Sequence, residues 1–461
     1  MRDCKKCGMN YNEKEYAICP YCGEAADEDL REAETKTAGS AGEVTRGVSG
    51  EEVKEKSDKK LKMPDFAGIG KMFDNKLKLA VVGIAVVIII GVAISAIFAL
   101  SDNGVTVPDK YSTIQEAIDA AEEGDEITVD VGIYKESIDF KGKDIILRST
   151  DPDDPSIVDQ TIIDGDGGGT VVSFHSGESE EAVLNGFTIT RGSGIVVSGG
   201  STPIIKNNVI ENNEAEYGAG LAIFDSSPKI IDNLISGNSG FLGGGIFVEE
   251  SSPLLEGNEI TRNHAERGSG VVVILNSAPE LLNNTITDNT ADDLGAGIVV
   301  ADNSTPSIKK NLITDNHAER TGGGILVKES EPNIEENTIA GNRAAHGGGM
   351  FVVDSMSTVL LIANNEISDN LAAIAGGGLY MEGSSPTLED NTFTDNKSER
   401  GGALVIYNSE PVLLGNLFES NEASEAEGGG ALWVSNDSVL ELNDPDDNTY
   451  DDNIPDDIYE E

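Results

Sequence analysis

Two groups of side chains in this sequence carry recognisable chemistry. Cys4, Cys7, Cys19 and Cys22 form two C-x-x-C pairs, CKKC and CPYC, and no cysteine occurs after them. Two such pairs, each on a tight turn, can set four thiolates around one tetrahedral Zn²⁺. Gly8 and Gly23 follow the pairs and accept the positive φ that such turns need. Two redox pairs are the alternative that the doubled spacing disfavours. The second group is a repeated basic pentapeptide, NHAER at 263–267 and again at 316–320, in a chain of formal net charge −50.

The elements that must position these groups divide the chain. Residues 1–26 read as a zinc ribbon and resemble the short N-terminal ribbons of many prokaryotic membrane proteins, with zinc as a structural cofactor. Residues 27–78 are polar, charged and poor in large apolar residues, a flexible linker. Leu79 to Leu100 carries no charge, and 22 residues at about 1.5 Å each span a hydrocarbon core of about 30 Å. Lys54, Lys56, Lys59, Lys60, Lys62, Lys71, Lys76 and Lys78 precede this segment and no basic residue follows it until Lys110. The expectation is a single-pass cell-membrane protein with its N-terminus in the cytoplasm and residues 104–461 outside.

Residues 101–461 hold 17 Lys/Arg against 66 Asp/Glu. So acidic a surface repels nucleic acid and anionic headgroups, and no nucleic-acid partner is expected for it. Sparse aromatics, 53 glycines and recurrent Asn argue against a helical bundle. The motif Asn-x-(Ile/Phe/Tyr)-x-x-Asn begins at Asn208, Asn233, Asn258, Asn284, Asn311, Asn337, Asn365, Asn391, Asn416 and Asn448, mostly 25–28 residues apart. That is a solenoid period. Each unit has a short apolar strand after a proline, then the Asn motif, a polar loop, and an alternating strand opened by glycines, such as GGGIFV (243–248) or GGGLYM (376–381). No segment is long enough for a crossover helix. One strand per face, turned by Asn and Gly, describes a parallel β-helix, with Asn amides hydrogen-bonding from coil to coil.

These repeats resemble the right-handed parallel β-helix, or pectin-lyase-like, superfamily, and also the repeats of chlamydial polymorphic membrane adhesins. STIQEAIDAAEEGDEITVDVGIYKESI (112–138) resembles the superfamily's usual opening, in which an amphipathic helix, here 112–123, caps the core. The expected fold is all-β over 104–461, with regular coils from about 185 to 453. The superfamily includes lyases, hydrolases, adhesins and spike proteins, so the resemblance leaves function open. The G-H-G and R-I-K signatures of polygalacturonase-like members are absent, which weighs against an enzyme.

Two surface features are candidate sites. His264, His317, Arg343 and Lys397 follow the second Asn of their repeats by one residue, and Arg267, Arg320, His346 and Arg400 by four. In register they would make a basic stripe suited to an anionic glycan. Glu266, Glu319 and Glu399 each precede an Arg, so lateral ion pairs account for the same pattern. The middle residues of the glycine strands, among them Phe247, Phe351, Tyr380 and Trp433, would form an exposed aromatic column for a sugar or a protein. Calcium is a second candidate cofactor, through the Asp-rich end 443–461. Sequons stand at Asn283, Asn303, Asn396 and Asn436. The function expected is recognition, adhesion or envelope structure, with an extracellular glycan or surface protein as partner. A polysaccharide lyase or hydrolase is the alternative, and a transmembrane sensor coupled to the ribbon is the third.

Overall fold

The computed structural model describes residues 105–355, 360–440 and 448–461 and, by backbone alone, the strands Arg2–Asp3 and Asn10–Tyr11, which pair antiparallel. Cys4, Cys7, Cys19, Cys22 and the expected span Leu79–Leu100 lie outside the described residues. No helix among the described residues is long and apolar enough to cross a membrane.

From Val105 onward the chain winds into a parallel β-solenoid. Three sheets have thirteen strands each and a fourth has nine. One coil shows the order: Ile204–Lys206 joins the first sheet, Val209–Glu211 the second, Glu214–Tyr217 the fourth and Leu221–Phe224 the third. Neighbouring strands of the solenoid pair in parallel, as in Ile205 with Ile230 and Ile210 with Ile235, with register shifts in the fourth sheet at Ala265/Arg267 and Ala344/His346. Thirteen strands at about 4.8 Å make a stack of about 60 Å.

Period-2 alternation decides the core. Ile205, Ile210, Leu221 and Ile223 are fully buried, and their equivalents continue the same column through Leu388, Phe393, Leu404 and Ile406. The helix Ile114–Ala120 closes the first end. Thr113 caps it by accepting from Glu116 N–H, and Ile114, Ala117 and Ile118 are buried in the core. Glu136 accepts from the N–H groups of Ile114 and Gln115 at 3.0 and 2.9 Å, so a carboxylate sits on the helix N-terminus.

The coil corners are held by side-chain ladders. Asn208 Nδ2 donates to Asn233 Oδ1 at 3.0 Å, Asn233 to Asn258 at 3.0 Å, and so on to Asn448. A second ladder runs from Asn213 to Asn453. The ladder Asn do not take the left-handed conformation themselves. That conformation belongs to the residue before each one, such as Asn207 at φ 53° and Asp232 at φ 52°. A third ladder escaped the sequence reading: Ser226 N–H donates to Ser251 Oγ, Ser251 N–H to Ser277 Oγ, and Ser277 N–H to Ser304 Oγ. Its signal was Ser-x-Pro at the start of most repeats, with Ser355 an exception.

The fourth sheet corrects the expected polar loop. The segments after the second Asn pair as strands from Glu214–Tyr217 to Glu422–Ala423. Their second residue faces inward and is small: Ala265, Ala291, Ala318 and Ala372 are buried. The pattern Asn-x-(Ala/Gly/Ser) was legible but carried no period-2 hydrophobicity. The glycines that follow allow the sheet to fold back tightly. A Cβ on Gly324 would lie 2.5 Å from Gly349 O, and Gly322 has φ 67°.

Candidate functional site

Because the fourth sheet folds back over the third, the expected exposed column is covered. Phe247, Phe351 and Trp433 are 1, 9 and 7 % exposed, and only Tyr380 is half-buried. Phe247, Val272, Val299, Leu326 and Phe351 form a second apolar layer, packed against Leu242 and Leu294 of the fourth sheet. Phe351 and Tyr380 stack with ring centroids 5.0 Å apart. This column is packing, and burial pushes the Tyr380 hydroxyl up to about 12.

The candidate basic residues all lie on the fourth sheet or at its edge. His264, His317, Arg343 and Lys397 share one register row, which Thr290 and Leu371 interrupt. A second row holds Arg267, Leu294, Thr321, His346, Ala375 and Arg400, so Arg320 falls one place out of line. Most of these basic side chains are met by carboxylates of neighbouring residues or coils. His264 Nε2 is 3.1 Å from Asp292, Lys397 Nζ is 3.0 Å from Glu422, and Arg400 Nε is 2.8 Å from Glu425. Asp293 receives both Arg267 and Arg320, at 3.2 and 3.0 Å. His317 lies 3.4 Å from Glu319. Among the described residues no carboxylate lies within 4 Å of Arg343. Half-burial pushes the His346 imidazole below its ordinary value, and the nearby Arg320 adds to this. The stripe is therefore a set of lateral ion pairs, with its charge largely answered in place.

A concavity that the sequence reading did not find lies where the fourth sheet begins. The two preceding coils pass through 165–171 and 191–194 without forming a fourth strand. The step leaves a groove of about 900 Å³, lined among others by Asp166, Arg191, Glu214, Phe241, His264 and Asp292. Arg191 is held by two carboxylates, Asp164 at 3.2 Å and Asp166 at 2.9 Å. The hydrogen bond and charge of Lys135 hold the Asp166 carboxyl below the usual range. Phe241 keeps 36 % of its surface exposed. One signal in the sequence marked the place: Asn185 and Asn208 are 23 residues apart, shorter than the later repeats.

Such a groove offers an aromatic face, an Arg, a His hydrogen-bonded to an Asp, and several carboxylates. That set can bind hydroxyl-rich or cationic groups, and the His264–Asp292 contact is the one arrangement there with the form of a base and its orienting group. Among the described residues no group of three or more His, Cys, Asp or Glu side chains could hold a metal ion. A family model described as a right handed beta helix region matches residues 172–328 and 295–444, together more than half of the chain. No curated protein matches the chain.

Proposed function

The chain belongs to the right-handed beta helix family, and from that premise we propose that it is a surface-presented recognition rod, anchored by Leu79–Leu100 with the four-cysteine zinc ribbon on the cytoplasmic side. Its ligand is an extended polymer of the cell exterior, a glycan or a segment of a surface protein. The observation that carries this reading is the groove at the first strand of the fourth sheet, with exposed Phe241 beside Arg191 and His264. The ion-paired stripe supports an acidic glycan poorly, since its guanidinium groups already meet carboxylates.

A second reading, a polysaccharide lyase or hydrolase, is favoured by one contact. His264 Nε2 stands 3.1 Å from Asp292, and both line the groove with Arg191. The dyad is half exposed, which gives it little of the desolvation that tunes a catalytic base.

The test offers the full-length protein to neutral and acidic polysaccharides, with and without calcium, and follows both binding and release of reducing or unsaturated ends. Binding without cleavage, weakened about tenfold by Phe241→Ala, is the expected result. Cleavage abolished by His264→Ala would establish the second reading. Absence of binding to polysaccharides and to surface-protein segments alike would end the recognition reading.

A further inference from the structure

The first strand of the fourth sheet, Glu214–Tyr217, is an open edge. In later coils the carbonyl at the Tyr217 position accepts from a glycine N–H of the coil before. Gly218 N–H reaches Leu242 O at 3.0 Å, Gly243 reaches Arg267 O at 3.1 Å, and Gly268 reaches Leu294 O at 3.0 Å. Tyr217 pairs in register with Leu242, and no strand of the preceding coil lies in front of it. The loop Gly192–Ser193 ties down only the Glu214 end, through Glu214 N–H to Gly192 O at 2.8 Å and Ser193 Oγ to Glu214 O at 3.2 Å.

The groove that this edge opens into runs from the early coils over the sheet as far as Asp292 and has room for a strand. Four extended residues at about 3.3 Å rise, 4.8 Å strand spacing and 10 Å across the sheet occupy roughly 600 Å³. The groove holds about 900 Å³. Its charge selects the occupant. Among the described residues no cation lies within 4 Å of Glu214, Glu216 or Glu266, and all three line the groove. Carboxylates on an edge strand repel acidic strands, and a second copy of this chain, at net charge −50, is one of them.

We propose that the Glu214–Tyr217 edge captures an extended basic polypeptide segment as a tenth strand of the fourth sheet. Main-chain hydrogen bonds to Tyr217 would supply the register, and alternate Lys or Arg side chains would meet Glu214 and Glu216 on the edge strand itself. This inference rests on the recognition reading and names its partner class.

The probe is a synthetic eight-residue peptide of alternating Lys and Thr, offered to the full-length protein. Three results are expected. Amide exchange at 214–217 slows about tenfold or more on binding. A backbone N-methylated version, equal in charge, binds at least about tenfold more weakly, as does the wild-type peptide to the Glu214→Lys/Glu216→Lys variant. A Glu-Thr peptide does not bind. Equal binding of the N-methylated peptide, or unchanged exchange at the edge, overturns strand addition and leaves charge attraction alone. If a polysaccharide protects 214–217 and the Lys-Thr peptide does not bind, this inference falls while the recognition reading stands. If neither binds, both fall.

Discussion

The Asp293 carboxylate lies 3.0 Å from the Arg320 guanidinium, one coil further along the solenoid. Asp293 also holds Arg267, one coil back, at 3.2 Å, and its side chain is only 16 % exposed. One acidic residue thus spans three coils and answers two cations. Adjacent residues in a strand face opposite sides, yet Asp292 and Asp293 both find basic partners on this sheet, because the strand Thr290–Leu294 carries a register shift.

Replacing Asp293 by Asn should release the Arg320 guanidinium and remove one of the partners of Arg267. The expected cost is about 1 kcal/mol of stability, modest because Arg320 is largely exposed. The same variant should bind an anionic polysaccharide that the wild type ignores. Denaturant midpoints and retention on a sulfated-polysaccharide matrix check both outcomes. Unchanged retention would mean that the stripe has no latent anion affinity.

The Asn ladders make a sharper prediction. Asn289 Oδ1 accepts from both Asn263 N–H and Asn263 Nδ2 at 3.0 Å, and its own amide donates to Ile260 O at 2.9 Å. All of these groups are buried. Asn289→Ala orphans two donors, for an expected loss of about 3 kcal/mol or more. Asn289→Asp should cost more still, since a carboxylate would face the Ile260 carbonyl and Asn316 Oδ1. The exposed Asn283, at φ 55°, is the control: Asn283→Gly should leave the denaturant midpoint nearly unchanged.

His346 gives a pH dependence whose sign is fixed by its burial. Burial disfavours the imidazolium, and the Arg320 charge acts the same way, so the folded value lies below the ordinary 6.5. The unfolded chain then takes up the proton first as pH falls. Stability is therefore fully present above about pH 6.5 and declines as pH drops through the folded value. His346→Gln should flatten that part of the profile. Glu249 and Glu382, raised by burial and by Glu250 and Asp354, act with the opposite sign: they favour the folded state at low pH and cost stability as pH rises. Comparing variant with wild type between pH 7.5 and 5.5 isolates the histidine. Parallel curves would exclude it as the source.

The N-terminal cysteines predict one zinc per chain. Metal analysis of the full-length protein should find it, and Cys4→Ser or Cys19→Ser should remove it, because three thiolates hold Zn²⁺ far more weakly than four. The melting of the solenoid, whose core contains no cysteine, should not change in either variant.

The sequence by itself determined the solenoid, because its two organising signals are local and periodic. Buried Ile and Leu recur at alternate positions, and each motif keeps its two Asn five residues apart, so neighbouring coils align on the same corners although the coil length varies. It also determined the end cap, where Ile114, Ala117 and Ile118 share a helical face. The tertiary structure alone decided what is surface. Phe247 and Trp433 alternate correctly for an outward face, yet a fourth sheet of small residues folds back and covers them. That sheet is invisible to hydrophobic periodicity, since its inward residues are Ala, Gly and Ser, chosen for closeness of approach and not for apolar area. The basic side chains His264, Arg267 and Arg320 were legible in the repeats, but their partners stand 26 to 28 residues away and only stacking brings them within reach. The groove is the consequence of a strand that two early coils lack, and such a gap becomes a site only when the coils are laid side by side.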